Sequence, residues 1–340
     1  MEKRADFLPN MRRNGAAELL QKRGSSMSMK LYANLHTHST HSDGVYDPAG
    51  IVAIAKKEGY RAFAVTDHDT ITACGPVRAE CEKQGMEWIF GAEFSSPYPD
   101  LGTSFHIVGF HFDPEYRPMK LYLEERSFCE TYQTKVLFER GIREGLLTDI
   151  AWEEVLEYNK DITWLCNEHV FRTLKAKGLR KDTDYPEFFN TLFGRRRGEV
   201  KMPYDFLTAD RIVRLILDAG GMAVVAHPHG QLKYMENLIR IGITGLEVWH
   251  PDLREESERL EALRTAQKYD LFVSGGSDHS GLCGGEYERY ENPMESEFWF
   301  PELSLGTTEG FFRELKNGVK SPERKDLFRT AIAQQEKLVG

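Results

Sequence analysis

Three imidazoles and a carboxylate fall within eight residues, His36-Thr37-His38-Ser39-Thr40-His41-Ser42-Asp43. A short, mostly apolar run, 31–35, precedes them. On a strand, residues two apart share a face, so His36 and His38 can point at one ion. Neutral imidazole nitrogens suit zinc, iron and manganese, and a nearby carboxylate adds charge. Paired histidines also occur on solvated loops, so the weight rests on ligand-type residues at the ends of later strands.

Those residues recur with a rhythm of strand, ligand-type residue, helix and glycine. Asp47-Pro48 caps and starts a helix that Gly59 stops. A strand over 62–65 runs into Thr66-Asp67-His68-Asp69, and a strand over 88–90 leads to Glu93. Asp43, His68 and Glu93 lie 25 residues apart, about one strand-helix-strand step, which puts them at equivalent strand ends. The loops at the carboxyl ends of parallel strands are where α/β barrels keep their chemistry. A fourth strand, 105–110, carries His106 near its start and is followed by His111. Later strands, 222–226, 246–249 and 271–274, reach His227-Pro228-His229, His250 and Asp278-His279. Seven strands are expected, all parallel and joined by helix-containing connections.

Between the fourth and fifth strands the pattern changes to helices at 121–144, 151–158, 169–177 and 185–193. This stretch is too long for one crossover and reads as a helical insertion above the site. It holds His169 and the basic run Arg195-Arg196-Arg197, which could contact a phosphate. Residues 1–29 read as an extension outside the core. The tail carries a Gly-rich loop, 281–285, an acidic stretch and a last helix near 308–316.

Clustering is what separates ligands from ordinary histidines. Ten of the eleven histidines lie in or next to the expected strands, His169 being the exception. So many ionisable groups at one barrel mouth need a shared partner, because unpaired buried charge is costly. Cations are the simplest such partner, with His36, His38, His68 and His227 the firmest ligand candidates. For His41, His111, His229 and His250, each taken alone, a supporting or plain loop role is the expectation.

Composition narrows the class. Hydrophobic residues make up 41% and aromatics 11%, ordinary for a soluble globular enzyme. The net charge of −9 argues against a scaffold for long nucleic acid but not against small phosphorylated substrates. Five scattered cysteines form no CxxC pair, so neither a disulfide framework nor a thiolate zinc site is expected. No apolar run approaches a membrane span and the N-terminus lacks a signal-type apolar core, so a cytoplasmic location is the default. No GxSxG elbow, P-loop or dinucleotide fingerprint is present.

His36-x-His38, Ser42-Asp43-Gly44, Thr66-Asp67-His68-Asp69, Gly91-x-Glu93, His106-Ile-Val-Gly, Ala226-His227-Pro228 and Gly276-Ser277-Asp278 together resemble the PHP (polymerase and histidinol phosphatase) superfamily. The match spans 32 to about 282. It is similar above all to the branch of nucleoside (bis)phosphate phosphatases and 5′-to-3′ oligoribonucleases, which also carry a helical insertion between the fourth and fifth strands. The resemblance implies an α/β fold, a distorted (β/α)7 barrel. Its parts would be an extension at 1–29, barrel segments at 30–118 and 209–282, the insertion at 119–208, and a C-terminal loop and helix at 283–340.

The same resemblance implies two or three divalent ions, manganese, iron or zinc. His36, His38, Glu93 and Asp278 would surround one, Glu93 would bridge to a second held by His106 and His227, and Asp43 with His68 would hold a third. The family usually ends in Asp-x-His, whereas this chain has Asp278-His279-Ser280. Either His279 swings in as a ligand or the third ion is weakened or absent. Relatives often show Arg-Pro-His where this chain has Asn167-Glu168-His169. The expected reaction is hydrolysis of a small phosphomonoester by metal-activated water. Asp67 and Asp69 would orient His68 or a neighbouring ligand, and His229, His250 or His279 would protonate the leaving oxygen. The alternatives are 5′-to-3′ exonuclease action on short oligonucleotides, or a degenerate domain that binds without turnover.

Overall fold

The computed structural model describes residues 31–278 and 305–340. The expected extension at 1–29, His279, Ser280, Cys283 and the Gly-rich loop lie outside the described residues.

Three short strands, β1 (Ala33–Asn34), β2 (Ala62–Phe63) and β3 (Glu87–Trp88), form one parallel sheet in that order. Helices α1 (Pro48–Glu58) and α2 (Cys74–Gln84) make the crossovers. The local grammar of α1 is as expected: the Asp47 carboxylate accepts from Gly50 N–H at 2.7 Å, Pro48 opens the helix, and Gly59 closes it with φ 96°.

The second sheet runs β4 (Gly91–Tyr98), β5 (Thr103–Phe110), β6 (Met222–Val225), β7 (Gly245–Trp249), β8 (Phe272–Gly275). Here the expectation of uniformly parallel strands fails. β5 is antiparallel to both β4 and β6. The connection from β4 to β5 spans only 99–102, and a parallel return needs a dozen or more residues. Glu93 therefore sits inside an eight-residue strand rather than in a loop past β3. Pro97 is tolerated because β4 is an edge strand. Pairs of backbone hydrogen bonds link the two sheets: around the His68–Glu93 bridge, Glu93 N–H donates to Asp67 O at 3.2 Å and Asp69 N–H to Glu93 O at 2.8 Å, and at the other side Leu35 N–H donates to Gly275 O at 3.1 Å and Asp278 N–H to His36 O at 2.8 Å.

Between β5 and β6 lie α3 (Arg117–Arg143), α4 (Trp152–Tyr158), α5 (Asn167–Ala176) and α6 (Tyr185–Leu192). They enclose an apolar cluster of their own, including Phe138, Trp152, Phe171 and Phe188. Then follow α7 (Ala209–Asp218), α8 (Met235–Arg240) and α9 (Glu256–Lys268). α10 (Glu309–Asn317) is the expected tail helix, and α11 (Arg324–Val339) is a further one not anticipated from its charged sequence. Alternate strand residues from both sheets (Leu35, Ala64, Val108, Val224, Phe272) meet Phe312 and Leu315 of α10 in one interior layer. That layer is the floor beneath the histidines.

Candidate metal centre

Glu93 stands at the centre of the site. It is fully buried, and each carboxylate oxygen faces imidazoles. Its Oε1 lies 2.9 Å from His106 Nδ1 and 3.1 Å from His227 Nε2. Its Oε2 lies 3.2 Å from His36 Nε2, 3.3 Å from His38 Nε2 and 3.1 Å from His68 Nδ1. Asp278 Oδ1 closes the ring, 3.0 Å from His38 Nε2 and 3.5 Å from His36 Nε2. Asp43 reaches His38 Nδ1 at 3.5 Å and His68 Nε2 at 3.9 Å. All the described residues expected to hold ions thus converge: His36, His38, Asp43, His68, Glu93, His106, His227 and Asp278.

Strand direction explains His106. Because β5 runs antiparallel to β4 and β6, its opening half lies at the same end as their carboxyl ends. A residue near the start of β5 therefore joins residues that follow other strands. The turns that present His227, Asp278 and Asp69 use positive φ angles of 30°, 48° and 48°. Such backbone costs about 1–3 kcal/mol per residue, and the surrounding structure must offset it.

The cluster has the chemistry of a cation site. Imidazole nitrogens face one another, His36 Nε2 to His38 Nε2 at 3.3 Å and His227 Nε2 to His106 Nδ1 at 3.2 Å. Buried Glu93 Oε2 and His68 Nδ1 have no well-aligned hydrogen-bond partner. Among the described residues four sets of donor atoms lie close enough together for one ion each: His36, His38, Glu93 and Asp278; His38, Asp43 and His68; His68, Glu93 and His106; and, on the outer side of His36, His36, Glu247 and His250. Against burial, which favours neutral imidazole, Glu247, Glu93 and Asp278 hold His36 well above its ordinary pKa. Against burial, which favours the neutral acid, His36, His106 and His68 hold Glu93 well below its own. The carboxylates demand positive charge, and divalent ions can replace protons in supplying it. The residues present fit divalent metals.

Several supports surround this ring. Glu247 on β7 is fully buried; its Oε1 accepts from His36 Nδ1 at 2.9 Å and its Oε2 accepts from His227 N–H at 2.8 Å. With its Nδ1 proton committed to Glu247, His36 presents a bare Nε2 to the cluster. Sequence reading missed Glu247. The available signal was an acid inside an otherwise apolar strand, which must have a buried partner. Asp67 accepts from Ser39 N–H at 2.6 Å, Ser39 Oγ at 2.7 Å and Ser42 Oγ at 2.6 Å, so it braces the loop that carries Asp43. Asp69 is buried with Oδ1 unpartnered, and burial pushes its carboxyl up to about 7.

The remaining candidates have other partners. His250 is fully buried; its Nδ1 accepts from Asp252 N–H at 3.1 Å, and its Nε2 lies 3.3 Å from Asp278 Oδ2. His229 is 59% exposed and its Nδ1 is 2.7 Å from Glu258. Arg196 pairs with Glu144 and Arg197 with Glu130, each at 2.6 Å, while Arg195 is exposed. His169, expected to face phosphate, is fully buried and donates from Nε2 to Thr40 O at 3.0 Å. Burial and the Arg172 guanidinium keep its imidazole well below the ordinary pKa. His41 pairs with Thr72 Oγ1 at 2.8 Å, outside the cluster, and His111 is exposed.

The chain is also similar to several known proteins. The PHP domain family model matches residues 34–171. The chain is 28% identical over 258 residues to the phosphoribosyl 1,2-cyclic phosphate 1,2-diphosphodiesterase of Eggerthella lenta, covering 74% of this chain and 95% of that protein. It is 26% identical to the 5′-3′ exoribonuclease Rnm of Escherichia coli (74% and 85% covered) and 26% identical to the 3′,5′-nucleoside bisphosphate phosphatase of Chromobacterium violaceum (74% and 88%). A solved structure from Bifidobacterium adolescentis, assigned as a metal-dependent phosphoesterase, superposes with a TM-score of 0.66 at 23% identity, covering 87% of this chain and 99% of that one. That likeness establishes a shared α/β fold. Residues 34–171 match the PHP domain, and the similarity to phosphodiesterases and phosphatases supports a metal-dependent hydrolase.

Proposed function

We propose that this protein hydrolyses a small phosphomonoester, nucleotide-like or another phosphorylated metabolite. The observation that carries the reading is Glu93, whose two oxygens are shared among five imidazoles in a fully buried position. His36, His38, Glu93 and Asp278 would hold one divalent ion, Glu93, His106 and His227 a second, and Asp43 with His68 a third. Manganese, iron and zinc all suit this ligand set. Such ions supply a hydroxide nucleophile near neutral pH and offset charge on the phosphoryl oxygens.

The chain's own groups do the rest. Glu247 keeps the His36 lone pair aimed inward, and Asp67 holds the turn that presents Asp43. His229 returns a proton to the leaving oxygen: it is exposed two residues beyond His227, and its Nδ1 lies 2.7 Å from Glu258. His250, without exposed surface, steadies Asp278 instead. The two sheets act as halves of a distorted (β/α)7-type barrel, joined where Leu35 meets Gly275 and His68 meets Glu93. The helices between β5 and β6, with a core of their own, form a separate cap within the 119–208 segment.

Similarity to nucleoside bisphosphate phosphatases and exoribonucleases favours a nucleotide-like substrate. The net charge of −9, with Arg196 and Arg197 already paired, disfavours a track for several phosphates among the described residues, so a mononucleotide is preferred over an oligonucleotide. The test is to measure bound metal, then phosphate release from a mononucleotide and from a 5′-phosphorylated trinucleotide with added manganese. Faster turnover of the mononucleotide is expected. Preference for the trinucleotide would favour the exonuclease reading, and metal-loaded protein inert on every phosphate ester would defeat catalysis.

A further inference from the structure

The loop from Ser39 to Tyr46 carries Asp43 and is closed at its base by Thr40 N–H donating to Tyr46 O at 2.8 Å. Backbone carbonyls held away from water need donors. For Thr40 O and Ser42 O those donors come from α5, some 130 residues away in the chain. His169 Nδ1 accepts from Cys166 N–H at 3.0 Å, which leaves the ring proton on Nε2, and Nε2–H donates to Thr40 O at 3.0 Å. Arg172 spans both carbonyls, 3.1 Å to Thr40 O and 3.0 Å to Ser42 O. The planar fork of a guanidinium suits two fixed acceptors. Apolar packing follows the same division: Val45 packs against the cluster inside the insertion, and Tyr46 against the main core. The Asp43 loop is therefore a strap between two cores, gripped by Asp67 from within and by α5 from outside.

We propose that His169 and Arg172 are positioning residues that set Asp43 for the ion it shares with His68, so that the helical insertion controls occupancy of that one position. This rests on the metal-site reading above. Asp43 and His68 bring few ligands to that ion, and such a position depends strongly on where each ligand is held. Partners behind a ligand typically govern metal affinity by about 10- to 100-fold. The ligands around Glu93 are supported instead by Glu247, through His36 Nδ1 and His227 N–H.

The experiment uses the full chain and manganese. Metal per chain and affinity by chelator competition are read for wild type, Arg172→Ala, Arg172→Lys, His169→Gln and Asp43→Asn, with hydrogen exchange of the metal-free proteins alongside. Arg172→Ala should lose the ion that Asp43→Asn loses, with affinity there down about 10- to 100-fold. The double variant should lose no more than either single one. Amides at 40–46 should exchange faster while those of β6 do not change. Arg172→Lys, with one nitrogen in place of the two-nitrogen fork, should be intermediate, and His169→Gln, which can still accept from Cys166 N–H and donate to Thr40 O, close to wild type. If Arg172→Ala does not fold, the lysine and glutamine variants carry the comparison. Unchanged metal affinity, with or without a looser loop, overturns the proposal, as does equal weakening of every ion. Wild type that binds no metal overturns both this proposal and the functional reading. Wild type that binds and hydrolyses, while Arg172→Ala loses nothing, overturns this proposal alone.

Discussion

The smallest groups in the site are its glycines, and one of them shows how closely the chain is packed around the histidines. A Cβ built on Gly276 would fall 2.3 Å from His36 N and 2.4 Å from His36 Cβ, well inside contact distance. Gly276→Ala must push β8 from β1 or turn His36 away. We expect it to abolish tight metal binding, measured as metal per chain after dialysis, while the circular dichroism of the helices persists. Glu247→Gln is the complementary electrostatic change. It keeps the size of the side chain, but as neutral amide it no longer balances the His36 imidazole. Metal affinity should fall about 10- to 100-fold by chelator competition, and affinity equal to wild type would refute the supporting role.

At the scale of elements, the least expected joint lies between β3 and α10. Glu87 receives hydrogen bonds from Tyr32 at 2.6 Å, Arg313 at 2.5 Å and Lys316. Although burial alone would raise it, these donors hold the Glu87 carboxyl down to about 2 from an ordinary 4.5. A depressed carboxylate adds stability in full above its unfolded value, and that contribution disappears as pH falls through the folded one. The joint should weaken from about pH 4.5 toward pH 2. Glu87→Gln should flatten the acid limb of a stability-pH curve in that window while lowering stability at neutral pH. An unchanged acid limb would mean that the joint contributes nothing. α10 matters here because its Phe312 and Leu315 close the layer beneath the site.

For the whole molecule, the site is a place where folding and metal binding are coupled. Opposed imidazoles, shared carboxylates and positive-φ turns would favour the folded chain more when divalent cations offset them. Metal should raise the melting temperature, with about 2.7 kcal/mol gained at a free concentration 100 times Kd for one site. Chelation should reverse the gain in a thermal melt, and equal melting temperatures with and without manganese would contradict it. α11 completes the molecule by docking Phe328 on Phe311 and Gln335 on the Trp249 indole N–H at 3.2 Å, so the tail helps hold β7.

Much of the site is legible in the amino-acid sequence. His-x-His, the 25-residue step through Asp43, His68 and Glu93, and the strand ends at His227 and Asp278 are local patterns, because each of these residues but Glu93, which lies inside β4, follows a strand readable from its own neighbours. The boundaries of α1, with Asp47, Pro48 and Gly59, are local for the same reason. The direction of β5, and with it the place of His106, depends on a four-residue connection that forces a hairpin. Glu247 meets His36 from 211 residues away, and Arg172 meets Thr40 and Ser42 from about 130. Neither pairing has a period or a spacing in sequence, since a hydrogen bond between distant segments is decided only when their elements pack. The sequence by itself determined which atoms could bind a cation; tertiary packing decided which side chains hold those atoms still.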